Sequence, residues 1–316
     1  HHGSHSFWHD GLYELDRPEG GDGTMAAFIQ LFVSGLATGA IYALVAVGFM
    51  LLWQTSQTIN FAQGEFVMIP AFFVLWAVRF LGIDFWPAVL IGVLVSLLVL
   101  GFLFKRMIVD PMIKHGVLPM VISTIALSIF LKELVKDFYS SQAQPFAALI
   151  PSSDIHILGA VISTQNIFIL LIASCTVAAL NFLLNGTRLG RAMQATAQNP
   201  TVARILGIPV ERMILYTFLI NAALVALASL LISPIYLAKF TNGDVLGLAA
   251  FIAAIVGGFN QVRGAIVGGL ILGVTENLAA AYISAQYRGA IPLILLIAVI
   301  LWRPHGLMGR AEERTV

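Results

Sequence analysis

Long apolar stretches, separated by short polar connections, run along almost the whole chain. Nine of them suit a membrane-spanning helix, which needs ~20 mostly apolar residues. The pattern therefore predicts an all-α fold, a polytopic transmembrane helical bundle with eight to ten membrane segments, some of them broken or re-entrant. The stretches cover approximately residues 26–53, 61–82, 85–104, 117–136, 165–185, 211–237, 244–259, 264–284 and 289–302.

Glycine pairs four residues apart occur in two of these stretches. Such pairs let helix backbones approach closely in a membrane. We therefore expect tight helix crossings at Gly35 and Gly39 in the first stretch, and at 264–273 in the eighth.

Composition agrees with a membrane protein. Of the 316 residues, 59% are hydrophobic and 10% are charged, whereas soluble domains carry about 25% charged residues. A single cysteine excludes a disulfide scaffold. Together these values exclude a soluble enzyme, a nucleic-acid-binding protein and a disordered chain.

The first 24 residues differ from the rest of the chain. They are polar, rich in glycine and histidine, and lack the apolar segment of a secretory signal. We interpret residues 1–24 as an expression tag and linker, and residues 25–316 as a single transmembrane domain. Since the tag holds five acidic residues and one arginine, residues 25–316 carry a net charge of +5 rather than +1.

The distribution of lysine and arginine predicts the orientation, because cytoplasmic loops carry an excess of both. Basic residues concentrate after the third stretch, after the fifth stretch and in the C-terminal tail. All three regions, including the C-terminus, lie in the cytoplasm if the stretches alternate. The connection 137–164 has no lysine or arginine, and we expect it to face outward.

The connection 186–210 contains the signals for a short, rigid helix. Asn199 caps free N–H groups and Pro200 suits the first helical position. Gly207 fits the left-handed residue that follows a helix. These start and stop signals predict a helix of about seven residues, 200–206.

Basic residues accompany this short helix. Arg204 lies within it, beside Ala203, and a preceding helical turn or two carries Arg188 and Arg191 on one face. The arrangement favours a docking element for a soluble partner on the cytoplasmic side. An amphipathic helix that lies on anionic lipid is the alternative.

A second polar segment, residues 54–66, interrupts two apolar stretches. Its side-chain amides, with Asn60 and Gln63 among them, and Gly64 indicate a helix break. Irregular backbone at membrane depth persists only inside protein or beside a water-filled cavity, and broken helices form substrate sites in transporters. An interfacial turn is an equally good explanation. Glu65 opens the following helix, where a carboxylate interacts favourably with the helix N-terminus.

Two polar residues lie inside later stretches, Asn221 in the sixth and Glu276 in the eighth. A charge at the bilayer centre costs ~2.5–3.5 kcal/mol, so that Glu276 should face the bundle interior. There it either lines a pathway or bonds to a neighbouring helix, and we favour the bond. Our candidates for a translocation path are Asn60, Gln63, Gly64, Glu65, Asn221 and Glu276.

Four further charged residues lie near the outer end of the fourth stretch. Pairing between lysine and glutamate, and snorkelling to the interface, explain them without any function. They are Lys132, Glu133, Lys136 and Asp137.

Motifs of enzymes are missing from the sequence. No glycine precedes any of its lysines, so there is no P-loop for ATP, and there is no His-Glu-x-x-His motif. No nucleophile with a neighbouring base is evident. We therefore expect neither an enzyme nor a bound metal or cofactor.

Four segments resemble the membrane permease subunits of bacterial branched-chain amino-acid ABC importers of the LivH type. The second of them is similar to a family segment that reads Asn-Phe-Ala-His-Gly-Glu, and the third to the family's cytoplasmic loop. The resemblance covers essentially all of residues 25–316. The segments are residues 39–48, 59–72, 190–207 and 257–273.

The resemblance implies a permease subunit in the bacterial inner membrane. It further implies a second homologous permease, two ATPase subunits that hold the ATP and Mg, and a periplasmic or lipid-anchored substrate-binding protein. No nucleic acid is involved. The coupling helix of such a subunit corresponds here to residues 199–207, with Arg188 and Arg191 beside it.

Two departures from the family pattern affect the cargo that we expect. Gln63 stands where the family usually has histidine, and residues 260–263, Asn-Gln-Val-Arg, replace a typical Gly-Ser-Ile-Pro turn. The family implies branched-chain amino acids, and its relatives are associated with amides, urea and aromatic acids. The main alternative is a stand-alone secondary transporter or channel, coupled to protons through Glu65 or Glu276. An intramembrane enzyme is poorly supported.

Overall fold

The computed structural model describes residues 22–310, most of which are α-helical. The helices are α1 (Asp22–Ser56), α2 (Gln63–Leu81), α3 (Phe85–Ser96), α4 (Asp110–Ile113), α5 (Val117–Phe138), α6 (Thr164–Gly186), α7 (Arg188–Gln198), α8 (Pro200–Ile205), α9 (Val210–Tyr236), α10 (Asn242–Gly257), α11 (Val262–Tyr282) and α12 (Ile291–Trp302). Two π-helical segments, Leu97–Leu103 and Lys105–Val109, connect α3 to α4. The strands β1 (Asp154–Ile157) and β2 (Ala160–Ser163) form an antiparallel hairpin between α5 and α6. A 3-10 helix, Ala285–Tyr287, precedes α12.

Every predicted apolar stretch contains a helix, which confirms the all-α polytopic bundle. Seven helices in the described part of the chain are long and apolar enough to cross a membrane. The two others, α10 with 16 residues and α12 with 12, are shorter than a full crossing.

The third stretch is longer than predicted. We expected its helix to end near residue 104, but Phe85–Ile113 is one continuous helix. Lys105 does not end it, because its ammonium is buried and pairs with Asp110 at 3.0 Å. The charge that marks a membrane boundary in the sequence is thus neutralised within the helix.

The predicted tag lies almost entirely outside the described residues. Only residues 22–24 are described, and they form the first turn of α1. The division into a tag of residues 1–24 and a single domain of residues 25–316 stays a prediction.

The bundle has two distinct ends. We call the end that carries α7 and α8 the basic end, and the end that carries the β-hairpin the hairpin end. α1 begins at the hairpin end, beside Gly159 of the hairpin turn, and runs towards the basic end. α9 runs the opposite way, from the basic end to Tyr236. Ala238, just after it, pairs its backbone with that of Gln144 in the connection 137–164.

α1 forms the centre of the bundle. Of its most apolar 18 residues, 94% are buried, against 17% for α5 and 11% for α6. α1 and α11 cross closely at their glycines, since a Cβ added to Gly39 would lie 2.8 Å from the carbonyl oxygen of Gly269. This confirms the predicted close crossing.

α2 and α10 both begin inside the bundle and diverge. The N-terminus of α2 lies beside the middle of α1 and of α9, where Gln63 contacts Val45 and Asn221. α2 then runs towards the hairpin end, where Phe72 packs on Tyr139. α10 runs towards the basic end and finishes at Gly257.

Candidate translocation path and coupling helix

The N-terminus of α8 is capped as the sequence predicts. Asn199 Oδ1 accepts a hydrogen bond from the backbone N–H of Val202 at 3.1 Å, and Pro200 occupies the first helical position. The cap satisfies one of the donors that a helix start leaves free.

The C-terminus of α8 is equally well defined. Gly207 has φ +83°, and its N–H donates to the carbonyl of Arg204 at 3.0 Å. The N–H of Ile208 donates to the carbonyl of Ala203 at 3.0 Å. These two hydrogen bonds form a Schellman motif, which stops the helix sharply. The predicted helix 200–206 is therefore confirmed as Pro200–Ile205.

α8 presents an apolar outer surface. Ala203 is buried against the bundle, while Val202, Ile205 and Leu206 are 47%, 78% and 72% exposed. Arg204 points outward and forms an ion pair with Glu211 at 3.1 Å. Exposed apolar residues of this size on a rigid element are typical of an interface with a protein or with a membrane surface.

α7 connects this surface to the bundle. Thr187 Oγ1 caps it by accepting from the N–H of Gly190 at 3.0 Å. Gly190, Met193 and Thr196 are buried, and the predicted pair Arg188 and Arg191 is exposed. α7 therefore holds its arginines outward beside α8, as the sequence predicts.

A large cavity of about 1190 Å³ lies between α1, α6, α7 and α11, towards the basic end. Amide side chains such as Gln54, Asn181 and Gln194 line its polar part, together with Asn260 and Arg263 of the turn that departs from the family pattern. Asn260 has φ +71° and its carbonyl accepts from Gln54 Nε2 at 2.9 Å, so this turn is fixed against α1. None of the six predicted path residues lines the cavity.

Three of the predicted path residues form one buried amide network. Gln63 Nε2 donates to Asn221 Oδ1 at 2.7 Å, and Asn221 Nδ2 donates to Gln63 Oε1 at 3.2 Å. Asn60 Nδ2 donates to Gln63 Oε1 at 3.3 Å, while Asn60 Oδ1 accepts from the N–H of Ala62. All three side chains are buried. The network therefore joins the helix break to α9 and satisfies these polar groups internally.

Gly64 and Glu65 lie at a second contact, between α2 and α10. Gly64 packs on the backbone of Gly243, and a Cβ added to Gly243 would lie 2.9 Å from Oε1 of Glu65. Glu65 is 3% exposed and occupies the first turn of α2, as predicted.

Glu276 belongs to a separate network at the hairpin end. Tyr42 Oη donates to Glu276 Oε2 at 3.2 Å, and Arg288 Nε donates to Glu276 Oε1 at 3.0 Å. Arg288 Nη2 also donates to Tyr236 Oη at 3.2 Å. Glu276 thus bonds to neighbouring elements, which is the alternative that the sequence favours, and it lies apart from the amide network.

Comparison with known proteins identifies the family. The profile described as "Branched-chain amino acid transport system / permease component" matches residues 31–300. A high-affinity branched-chain amino acid transport system permease protein LivH of Salmonella typhimurium is 34% identical over 301 residues, which are 92% of this chain and 98% of the relative. The chain belongs to this permease family. The corresponding protein BraD of Pseudomonas aeruginosa is 33% identical over the same shares of both chains. A probable LivH of Methanocaldococcus jannaschii is 28% identical over 85% of this chain and 89% of its own.

Sequence reasoning on the permease missed two charged partners. Lys136 pairs with Glu133 at 3.5 Å, as predicted, but Lys132 pairs instead with Asp244 of α10 at 2.7 Å. Arg288, the partner of Glu276, was not singled out either. Lys132 and Asp244 are distant in the sequence, and Arg288 lies in the loop before α12. No local sequence pattern therefore reveals either pair. The nearest signal is the repetition of Gln63-Gly64-Glu65 as Asn242-Gly243-Asp244 at the start of α10.

Proposed function

We propose that this permease is the membrane subunit of an ATP-driven importer for branched-chain or related amino acids. Its relatives are transport permeases rather than enzymes, and those compared above carry branched-chain amino acid transport in their names. The single observation that carries the proposal is the capped helix α8. A chain that transports alone needs no rigid apolar surface of this kind at its basic end.

The coupling role is assigned to α7 and α8. Forces from the partner would reach the bundle through Ala203, which is buried, and through the buried side of α7. Arg188, Arg191 and Arg204 surround this surface with positive charge, which suits an acidic rim on a soluble partner. The residues proposed for coupling are Arg188, Arg191, Asn199, Pro200, Ala203, Arg204 and Gly207.

The energy would come from outside this chain. Since the sequence has no P-loop, two separate ATPase subunits would bind ATP and Mg and dock from the cytoplasm. A second homologous permease would complete the path, and a substrate-binding protein on the outer side would deliver the cargo. We place the permease in the bacterial cytoplasmic membrane with its C-terminus inside, because the basic residues after the third and fifth stretches share one end with the tail.

The path is proposed to pass the N-termini of α2 and α10. Both helices start inside the bundle, which is the arrangement that directs free backbone N–H groups at a cargo in other transporters. Glu65 lies at this point. The amide network of Asn60, Gln63 and Asn221 holds the break in place, and Glu276 fixes the hairpin end.

ATP-dependent uptake in proteoliposomes tests the proposal. Vesicles that contain the permease with its partner permease, ATPase subunits and binding protein should accumulate L-leucine only when ATP is supplied to the ATPase side. Vesicles that contain the permease alone should not. Uptake by the single chain, driven by a proton gradient without ATP, would support the stand-alone transporter instead.

A further inference from the structure

A charged cluster, which we define as Glu65, Ser128, Lys132 and Asp244, lies where α5 passes the N-termini of α2 and α10. Lys132 Nζ donates to Asp244 Oδ2 at 2.7 Å. Gly243, which directly precedes Asp244, lies against the Glu65 carboxylate, because a Cβ added to it would be 2.9 Å from Glu65 Oε1. Ser128 lies one turn before Lys132 on α5. Three helices that are distant in sequence thus bring their charges together.

The cluster contains two carboxylates and one ammonium. Lys132 pairs with Asp244, and within residues 22–310 no basic side chain comes within ion-pairing distance of the Glu65 carboxylate. Glu65 is nevertheless 97% buried, with an exposed fraction of 3%. Two helix N-termini stabilise a carboxylate here in part. A buried carboxylate is still costly without a positive partner, and a cation beside Glu65 would lower that cost.

Two related sequence motifs surround the Glu65 carboxylate. Gln63-Gly64-Glu65 starts α2 and Asn242-Gly243-Asp244 starts α10, and the two glycines are in backbone contact. An added Cβ at Gly243 would lie 2.9 Å from both the backbone nitrogen and Oε1 of Glu65. The absence of a side chain at Gly243 therefore leaves the room in which the carboxylate lies.

The cluster opens on an apolar face of the protomer. The side chains of Lys132 and Asp244 are 26% and 52% exposed. On α5 the exposed residues Ile122, Ile125 and Ile129 precede Lys132 at helical spacing and form one stripe, which we call the isoleucine stripe.

This face suits water or a partner chain better than lipid. Lys132 lies six residues before the end of α5, or ~9 Å at 1.5 Å per residue. Charged side chains at membrane depth face a water-filled cavity or the bundle interior, because exposure to hydrocarbon is costly. A path between two permease subunits provides such water.

We propose that Glu65, Lys132 and Asp244 bind the ammonium and carboxylate groups of an amino acid as it passes through the membrane. The ammonium of the cargo would lie between Glu65 and Asp244, and its carboxylate would accept hydrogen bonds from Lys132 Nζ as the Lys132–Asp244 pair opens. The isoleucine stripe would contact a hydrocarbon side chain. This inference rests on the proposed function as an amino-acid permease.

Uptake at saturating binding protein and leucine, measured beside ATP hydrolysis in the reconstituted assembly, tests the role of Lys132. The variant Lys132→Met should lower leucine uptake about tenfold, as expected for a lost charge-assisted hydrogen bond, while ATP hydrolysis stays within about twofold. Lys132→Arg should keep most of the uptake. The matched control is Lys136→Met, which removes the neighbouring lysine on the same helix and should leave uptake unchanged.

The outcomes separate the inference from the proposed function. Equal uptake by the Lys132→Met and Lys136→Met variants would overturn the site and leave the function intact. A wild-type assembly that takes up no leucine would instead refute the function on which the site depends. A loss of uptake and ATP hydrolysis together in Lys132→Met, without recovery in Lys132→Arg, would show a merely structural residue and also overturn the site.

Thiol labelling gives a second test that keeps the cluster intact. The variant Ile129→Cys, made in a Cys175→Ser background because Cys175 is exposed, places a thiol one turn from Lys132. A membrane-impermeant cationic reagent should label it, and leucine should slow the labelling more than leucinamide, which lacks the carboxylate. No labelling, or labelling that leucine does not slow, would contradict a water-filled binding site at this face.

Discussion

Gly64 and Gly243 lie in direct backbone contact at the points where α2 and α10 begin. Because neither residue has a Cβ, the two N-termini meet inside the bundle instead of at its surfaces. From this contact α2 runs to the hairpin end and α10 to the basic end. The contact is therefore the point inside the bundle from which α2 and α10 run in opposite directions.

Replacing Gly243 by alanine should destabilise the permease. The new Cβ would lie 2.9 Å from the Glu65 backbone nitrogen and Oε1, and overpacking of this kind costs ~1–3 kcal/mol. Thermal unfolding in detergent should show a lower Tm. Gly289→Ala is the control, since no heavy atom lies within 4 Å of a Cβ at that position. An equal Tm for the two variants would show that the helices do not meet as described.

Replacing Ile205 by aspartate should weaken the docking of ATPase subunits. Ile205 is 78% exposed on α8, so that its loss leaves the fold intact but puts a charge into the proposed interface. We expect fewer ATPase chains to co-purify and leucine uptake to fall at least about tenfold, as for a central interface residue. Leu158→Asp, at 85% exposure in the hairpin turn, is the matched control and should change neither. Unchanged ATPase binding in the Ile205 variant would exclude α8 as the docking surface.

The amide pair of Gln63 and Asn221 should behave as a coupled unit. Gln63→Leu leaves the buried Asn221 amide without a hydrogen-bond partner, and Asn221→Leu removes two of the hydrogen bonds of Gln63, at a cost of ~1–3 kcal/mol each. The double variant leaves no orphaned amide in this pair, and its destabilisation should be smaller than the sum of the two. Denaturation of the wild type, the two single variants and the double variant measures the four free energies of unfolding that this comparison needs. Simple additivity would show that the two side chains do not interact.

Removing Arg288 should destabilise the hairpin end. Glu276, whose side chain is 7% exposed, would keep Tyr42 as a donor but lose its counterion. Breaking a fully buried pair costs ~3–5 kcal/mol, and we expect less, about 1–3 kcal/mol, because Arg288 is 38% exposed and solvent screens it. Lys136→Met breaks an exposed pair and should cost below ~1 kcal/mol. Thermal unfolding compares the two. A larger effect for Lys136→Met would argue against the buried network.

The membrane helices were predictable because their signal is local. An apolar run of ~20 residues indicates a membrane-spanning helix by itself. The Asn-Pro start and the glycine end of α8 are likewise encoded within a few positions. Arg188 and Arg191 lie beside α8 for the same reason. These features follow from hydropathy, capping and backbone conformation alone.

Features that depend on distant partners were not predictable in the same way. The helix that ends at Ile113 continues past Lys105 because Asp110 and the bundle neutralise that charge. Lys132 was explained by pairing on its own helix, but its partner Asp244 lies on α10. A single sequence gives no distances between helices, so that these ion pairs emerge only from the assembled bundle.

Affinity purification of the permease from cells that express it with its neighbouring genes tests the central claim most directly. After gentle extraction in detergent, mass spectrometry should find a second permease and P-loop ATPase chains in the eluted complex, as the coupling surface on α8 predicts. A permease that elutes alone, under conditions in which a known ABC transporter stays intact, would contradict the account. It would favour a transporter that works by itself, with Glu65 and Glu276 as the residues to examine for proton coupling.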